Sequence, residues 1–208
     1  MKISQKLVLG LLVLAAFSCE TGKMATKESG ETNKKYVAWY SPSQATDVYG
    51  MMFEMFPKEY PEYLPNTYGI DLNISPIGAL FFMSAAPYLI IPNMSMDKTY
   101  SPDMYKKICG LQIALLNFDP SIIYGLDINA VMSMGDSKVT GISFSTLQNN
   151  HETVNGLSLA ILSNNSQYCN GVQIGLFNTC ANLRGFQIGL WNKNAKRSLP
   201  FINWNFRK

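Results

Sequence analysis

Few side chains in this sequence of 208 residues are placed to do chemistry. The one histidine, His151, stands in NNHET beside Glu152. A metal centre draws two or more His or Cys together at compatible spacing, and no such cluster occurs. There is no G-x-S-x-G elbow and no phosphate-binding glycine loop. A lone histidine in a polar stretch reads as solvated. Asp119, Asp136 and Glu152 fall in separate segments; together they would line one edge of a repeat array and hold a cation, but separate solvated carboxylates are the ordinary arrangement. The expectation is a non-enzymatic chain with no cofactor and no metal.

The elements that would position any site are repeats. One phrase recurs six times: GLQIALLN, GLDINAVM, GISFSTLQ, GLSLAILS, GVQIGLFN and GFQIGLWN, opening at Gly110, Gly125, Gly141, Gly156, Gly171 and Gly185. The intervals are 15, 16, 15, 15 and 14 residues. Position two is Leu, Leu, Ile, Leu, Val, Phe, and position four is Ile, Ile, Phe, Leu, Ile, Ile. Positions three and five carry Gln, Asp, Ser, Asn, Ala or Gly. This is the alternation of a strand with one buried face. It predicts positions two, four and six inside, with Ile174 and Ile188 in the core, and position three outside, with Gln173 and Gln187 in solvent. Position seven breaks the alternation and ends in Phe177 and Trp191, a candidate partner-contact stripe unless return segments cover it. Position eight is Asn in three of six copies.

A fixed short period with matched columns is the mark of a repeat architecture. The favoured fold is an all-β solenoid of about 15-residue coils with capping strands. The alternative is an antiparallel β-meander or closed barrel, which buries the same alternation. It accounts less well for a glycine at the same end of every unit, because successive antiparallel strands would place their glycines at opposite edges.

Cysteine spacing bears on the same choice. Cys169 and Cys180 bracket GVQIGLFN. Eight extended residues span roughly 26 Å, whereas a disulfide needs Cα atoms within about 7 Å. Cys109 stands about four coils from Cys169, roughly 19 Å at the strand spacing. All three are therefore expected as free thiols.

The N-terminus reads as an address. Lys2 and Lys6 precede an apolar run from Leu7 to Phe17, too short to span a bilayer and suited to a signal core. The stretch ending in Ala16-Phe17-Ser18-Cys19 resembles a bacterial lipoprotein signal, with Ala16 where Leu, Val or Ile is usual and Phe17 where a small residue is commoner. The resemblance implies cleavage after residue 18 and fatty acylation, palmitate-type, of Cys19. An ordinary secretory signal containing a cysteine is the alternative. Residues 19–35, with little apolar content, form a tether of about 20 Å end to end. Removing Lys2 and Lys6 from the 17 Lys and Arg leaves 15 against 14 Asp and Glu, no footprint for nucleic acid.

Residues 36–208 make one β-repeat domain, with leading strands over 36–109, the array over 110–192 and a C-terminal cap over 193–208. In the leading part, YVAWY, VYGMMFEMF and TYGIDLNI read as strands, and GIDLNI is an outlying copy of the phrase. LFFMSAAPYLIIP, at 80–92, reads as buried strand. In the cap, Ile202, Trp204 and Phe206 point one way, with Asn203 and Asn205 the other. GVQIGLFN and GFQIGLWN, with the closing Pro-Phe-Ile-Asn, resemble the leptospiral surface-repeat family of tandem G-x-Q-I-G-L-x-N units. The likeness is strong over 171–206 and diluted over 110–170. It implies the outer membrane or cell surface and supplies no catalytic residue or ligand. The resulting expectation is a lipid-anchored cell-envelope protein, held to the membrane through Cys19, whose repeat body is an interaction or structural surface for an unidentified protein partner. The alternative is an outer-membrane β-barrel with a pore or transport role.

Overall fold

A computed structural model describes residues 33–41, 45–54, 65–74 and 105–206. The signal, Cys19, the tether up to residue 32 and the apolar stretch 80–92 lie outside the described residues. Nine strands follow in order: β1 (Lys34–Ser41), β2 (Asp47–Glu54), β3 (Asn66–Asn73), β4 (Lys106–Asn117), β5 (Ser121–Ser145), β6 (Gln148–Ala160), β7 (Ser163–Ile174), β8 (Phe177–Asn194) and β9 (Ser198–Asn205). Each pairs with the next in one sheet. β1 to β8 are parallel throughout, and only β9 runs antiparallel, against β8. Successive parallel strands in matched register are the rungs of a β-solenoid. β5 is 25 residues long because it pairs first with β4 and then, a coil later, with β6. β1 and β9 are the two ends of the strand order, so the sheet does not close and the barrel alternative is excluded.

The glycines set the register. Gly50, Gly69, Gly110, Gly125, Gly141, Gly156, Gly171 and Gly185 stand one above another. All eight have φ between 128° and 148°, a region that strains any residue with a Cβ. There is also no room for one: a Cβ on Gly156 would lie 2.1 Å from the Gly141 carbonyl oxygen. The column continues into β1, where Val37 pairs with Gly50 at φ 77°. YVAWY is thus a further copy of the repeat, hidden from the sequence by a valine at the glycine position. β1 starts at Lys34, two residues before the expected onset of order.

The phase of the alternation is opposite to the sequence expectation. Position three is the buried one: Gln112, Asp127, Ser143, Ser158, Gln173 and Gln187 are all enclosed. Position four points outward, with Ile174 and Ile188 about two-fifths exposed, at 39% and 42%. The apolar filling of the interior comes instead from two residues before each glycine. There Val48, Ile108, Ile123, Val139, Val154, Cys169 and Leu183 are fully buried and share strand parity with position three.

Buried amides are tolerated because identical side chains stack and bond along the solenoid axis. Asn149 donates to Asn164 (3.2 Å), Asn164 to Asn178 (2.8 Å) and Asn178 to Asn192 (2.8 Å). Each also donates to a main-chain carbonyl: Asn149 to Leu159, Asn164 to Ile174, and Asn178 to Ile188. The ladder runs back through Ser133 to Asn117 by strand register. Its members sit at position eight in the first and last two copies and one residue later in the middle three, where the coil has a shifted register. That slip conceals the column from a fixed-length alignment. A second ladder runs Asn203 to Gln187 (3.0 Å) to Gln173 (2.9 Å). Asn203 comes from β9, so the cap strand covers the open end by completing the interior bonding, with Ile202, Trp204 and Phe206 outside.

Cys169 and Cys180 are buried free thiols, but they are not far apart. The chain turns a corner after Ile174, so the two sulfurs meet inside, in one apolar cluster with Val154 and Leu183. A hydrogen bond from the Cys169 thiol holds Cys180 down to about 7. Cys109 is disulfide-bonded, which corrects the expectation of three free thiols.

Two outcomes follow for stability. Gly156→Ala should cost more than about 4 kcal/mol in urea unfolding, from backbone clash and strain together. Gln187→Ala should cost about 3 kcal/mol, because it strands two buried groups at Gln173 and Asn203. Ile188→Ala should cost at most about 1.5 kcal/mol at its exposed site. A larger cost at Ile188 than at Gln187 would restore the sequence-based phase.

Candidate interaction surface

Positions two and four of every rung form one outer sheet face. Met51 and Phe53 begin it on β2; Phe186 and Ile188 stand on β8. Antiparallel pairing carries it onto β9, where Trp204 lies beside Phe186 and Ile202 beside Ile188. No charged or amide side chain interrupts either column from β1 to β9. Ile113, Phe144, Ile174, Ile188 and Phe186 are 37% to 43% exposed, which for a stacked ladder means open to solvent on their outer side. β5 contributes two rungs, so ten rungs at about 4.8 Å make this face about 43 Å long. The sequence hid it because these residues look like a core.

Parts of the remaining outer surface are polar, beside exposed Ile161, Leu176 and Leu190 at position six. Asn165 donates to Asn150 (3.0 Å) and Asn170 to Asn155 (2.8 Å) in short external ladders. The edge of the apolar face before each glycine is aromatic at the N-terminal end. Tyr36 stacks on Tyr49 with ring centroids 5.5 Å apart, and Tyr49 on Tyr68 at 4.8 Å. Phe177 and Trp191, the expected contact stripe, are both exposed, at 49% and 50%. They stand in one column, each directly before a rung of the asparagine ladder, Asn178 and Asn192. One rung back the column holds Ser163 rather than Leu162, so it is aromatic over these two rungs only. Earlier members of position seven are more covered, Leu116 fully so.

Several titratable groups lie inside the coil. Lys106, wholly buried, meets Glu54 at 2.8 Å and Asp71 at 3.5 Å. Burial pushes Asp71 up to about 6, against the attraction of Lys106 and with the repulsion of Glu54. Burial alone lowers the Lys106 ammonium, yet Asp71, Glu54 and Asp119 outweigh it and hold Lys106 above its ordinary value. Asp127 accepts from Ser143 (2.8 Å) and Asn129 (2.9 Å), and burial pushes it up to about 6. His151 is not solvated as expected: it is buried, with Nε2 2.9 Å from Ser143 Oγ, and burial lowers it to about 4. The reason is parity. His151 pairs with Ser137 and Ser166 inside the coil, while its neighbour Glu152 points out and pairs with Lys138 at 3.3 Å. Asp119 is half-buried and accepts from Asn73 at 3.3 Å. Asp119, Asp136 and Glu152 therefore do not converge, and among the described residues no group of three His, Cys, Asp or Glu is placed to hold a metal ion.

No family model, curated protein or solved structure matches this chain.

The buried acid and the buried histidine make opposing contributions to stability. Asp127 titrates near 6 folded and 3.8 unfolded, so its contribution is full below pH 3.8 and is lost as pH rises through 6. His151 titrates near 4 folded and 6.5 unfolded, so its contribution is present above 6.5 and lost as pH falls through 4. Asp71 acts with Asp127. His151→Gln should therefore steepen the loss of stability from pH 4 to 6, and Asp127→Asn should reduce or reverse it, as read by denaturant midpoints across that window.

Proposed function

We propose that this chain is a non-enzymatic, lipid-anchored protein of the bacterial cell envelope whose solenoid body serves as an interaction surface. The observation that carries the reading is the uninterrupted apolar face. A face of this length left in water is a standing aggregation hazard, and such patches on folded proteins mark places of association. The lipoprotein-like signal ending at Cys19 and the polar tether support the anchored location. The likeness of GVQIGLFN and GFQIGLWN to leptospiral surface repeats supports the envelope and the outer membrane or cell surface. The interior amides from Asn149 to Asn203 are bonded along ladders, which suits a structural role better than a reaction.

Lipidation occupies the Cys19 sulfur. Cys19→Ala should abolish labelling by a fatty-acid probe and release the protein from membranes. Thiol titration of the denatured chain should find Cys169 and Cys180 free and Cys109 only after reduction. Persistent labelling of Cys19→Ala, or its undiminished fractionation with membranes, would refute the anchor.

A further inference from the structure

The apolar face has a rim, and the rim identifies its partner. Three of the seven described acidic side chains, Glu54, Asp71 and Asp127, are buried, against one of nine described Lys and Arg, Lys106. The outer surface of the described body is left with eight cations and four carboxylates, and Glu152 is already paired with Lys138. The described body thus has a basic exterior around an acidic interior.

Some of these cations border the apolar face. Arg197 lies 4.7 Å above the ring of Trp204, which stands on the face beside Phe186. Lys107 lies 5.3 Å above the ring of Tyr124, in the column before the glycines. Arg184 occupies that same column immediately before Gly185. Aliphatic and aromatic residues in the middle, with Tyr, Trp, Lys and Arg at the edge, make the pattern of a surface seated at a bilayer interface. There the rings occupy the headgroup level and the cations reach lipid phosphates.

We infer that the outer face formed by positions two and four lies on the surface of an anionic bilayer, with Arg184, Arg197 and Lys107 on lipid phosphates. This rests on reading the body as an interaction surface and names its partner. Apolar side chains at this face insert only to the boundary of headgroup and acyl chain, about 5–10 Å deep, and no backbone enters the hydrocarbon unpaired, because the strands bond to one another within the sheet. A second copy would fit the shape of the face but not its charge, because stacking would bring two basic rims together. A lipid at Cys19 would hold the body near such a surface without itself orienting it.

The test uses the full chain carrying Cys19→Ser, which removes the lipid, with vesicles of phosphatidylcholine alone or mixed with phosphatidylglycerol. The protein should partition onto the mixed vesicles, more weakly at high salt. Brominated acyl chains should quench Trp204 more than Trp191, resolved by Trp204→Phe and Trp191→Phe. Arg197→Gln should weaken partition about fivefold. Ile174→Glu with Ile188→Glu should weaken it at least about tenfold, and circular dichroism identifies a misfolded variant. Should that variant misfold, the salt dependence and the quenching contrast of the parent chain decide alone. Equal binding to both vesicle types, or no quenching of Trp204, overturns the inference. Sedimentation as a dimer that Ile188→Glu dissolves, without vesicle binding, also overturns it in favour of a second copy and leaves the interaction-surface reading standing. A monomer that binds neither vesicles nor itself removes both of these occupants. Fatty-acid labelling of the parent Cys19 is scored separately, so loss of the anchor and loss of the face are distinguishable.

Discussion

Stacked glycines at positive φ hold the rungs of this molecule in one register. Backbone approaches backbone at each of them so closely that a methyl group would collide with the carbonyl beneath, as at Gly156 over Gly141. That closeness places residue upon like residue along the solenoid. Everything inside depends on it: a one-residue slip would send every interior side chain to the outside. At β1 the column ends in Val37, held at φ 77°, a conformation that a β-branched residue adopts only at a cost.

Given that register, a polar interior becomes stable. Asparagine and glutamine each offer a donor and an acceptor, so a stack of them satisfies itself rung by rung, and the main-chain carbonyls at the corner take the remaining hydrogens. The arrangement is demanding, because removing one member strands its neighbours above and below. It is also specific: an apolar interior would tolerate small shifts that a hydrogen-bonded ladder does not. The ionic group of Lys106, Glu54 and Asp71 follows the same logic less comfortably, with two carboxyls sharing one ammonium in a dry place.

Placing polar groups inside leaves apolar ones outside, and this inversion gives the exterior its character. One long face is Leu, Ile and Phe, the remaining surface mixes external asparagine ladders with exposed apolar residues such as Ile161 and Leu190, and the enclosed carboxylates leave the described surface basic. On the proposed reading, an envelope anchor would let this face engage whatever lies beside it.

The sequence by itself determined that the chain is a β-repeat, where each rung begins, and that β9 would cover the end. Period and glycine spacing are local, and a parallel stack reproduces them directly. It did not determine which face is inside, because alternation fixes two faces and not their assignment. Reading Ile174 and Ile188 as core assumed that apolar means enclosed, and the deciding column, Ile108, Ile123, Val139 and Val154, stood just outside the phrase being compared. His151 was misplaced for a related reason: a polar stretch looks like loop until coil parity turns it inward. Cys169 and Cys180 looked distant along an extended strand, and only the corner after Ile174 brings them together. These are decisions of tertiary structure, since each depends on where a turn of the coil returns the chain to itself, a distance in space that spacing along the sequence does not contain.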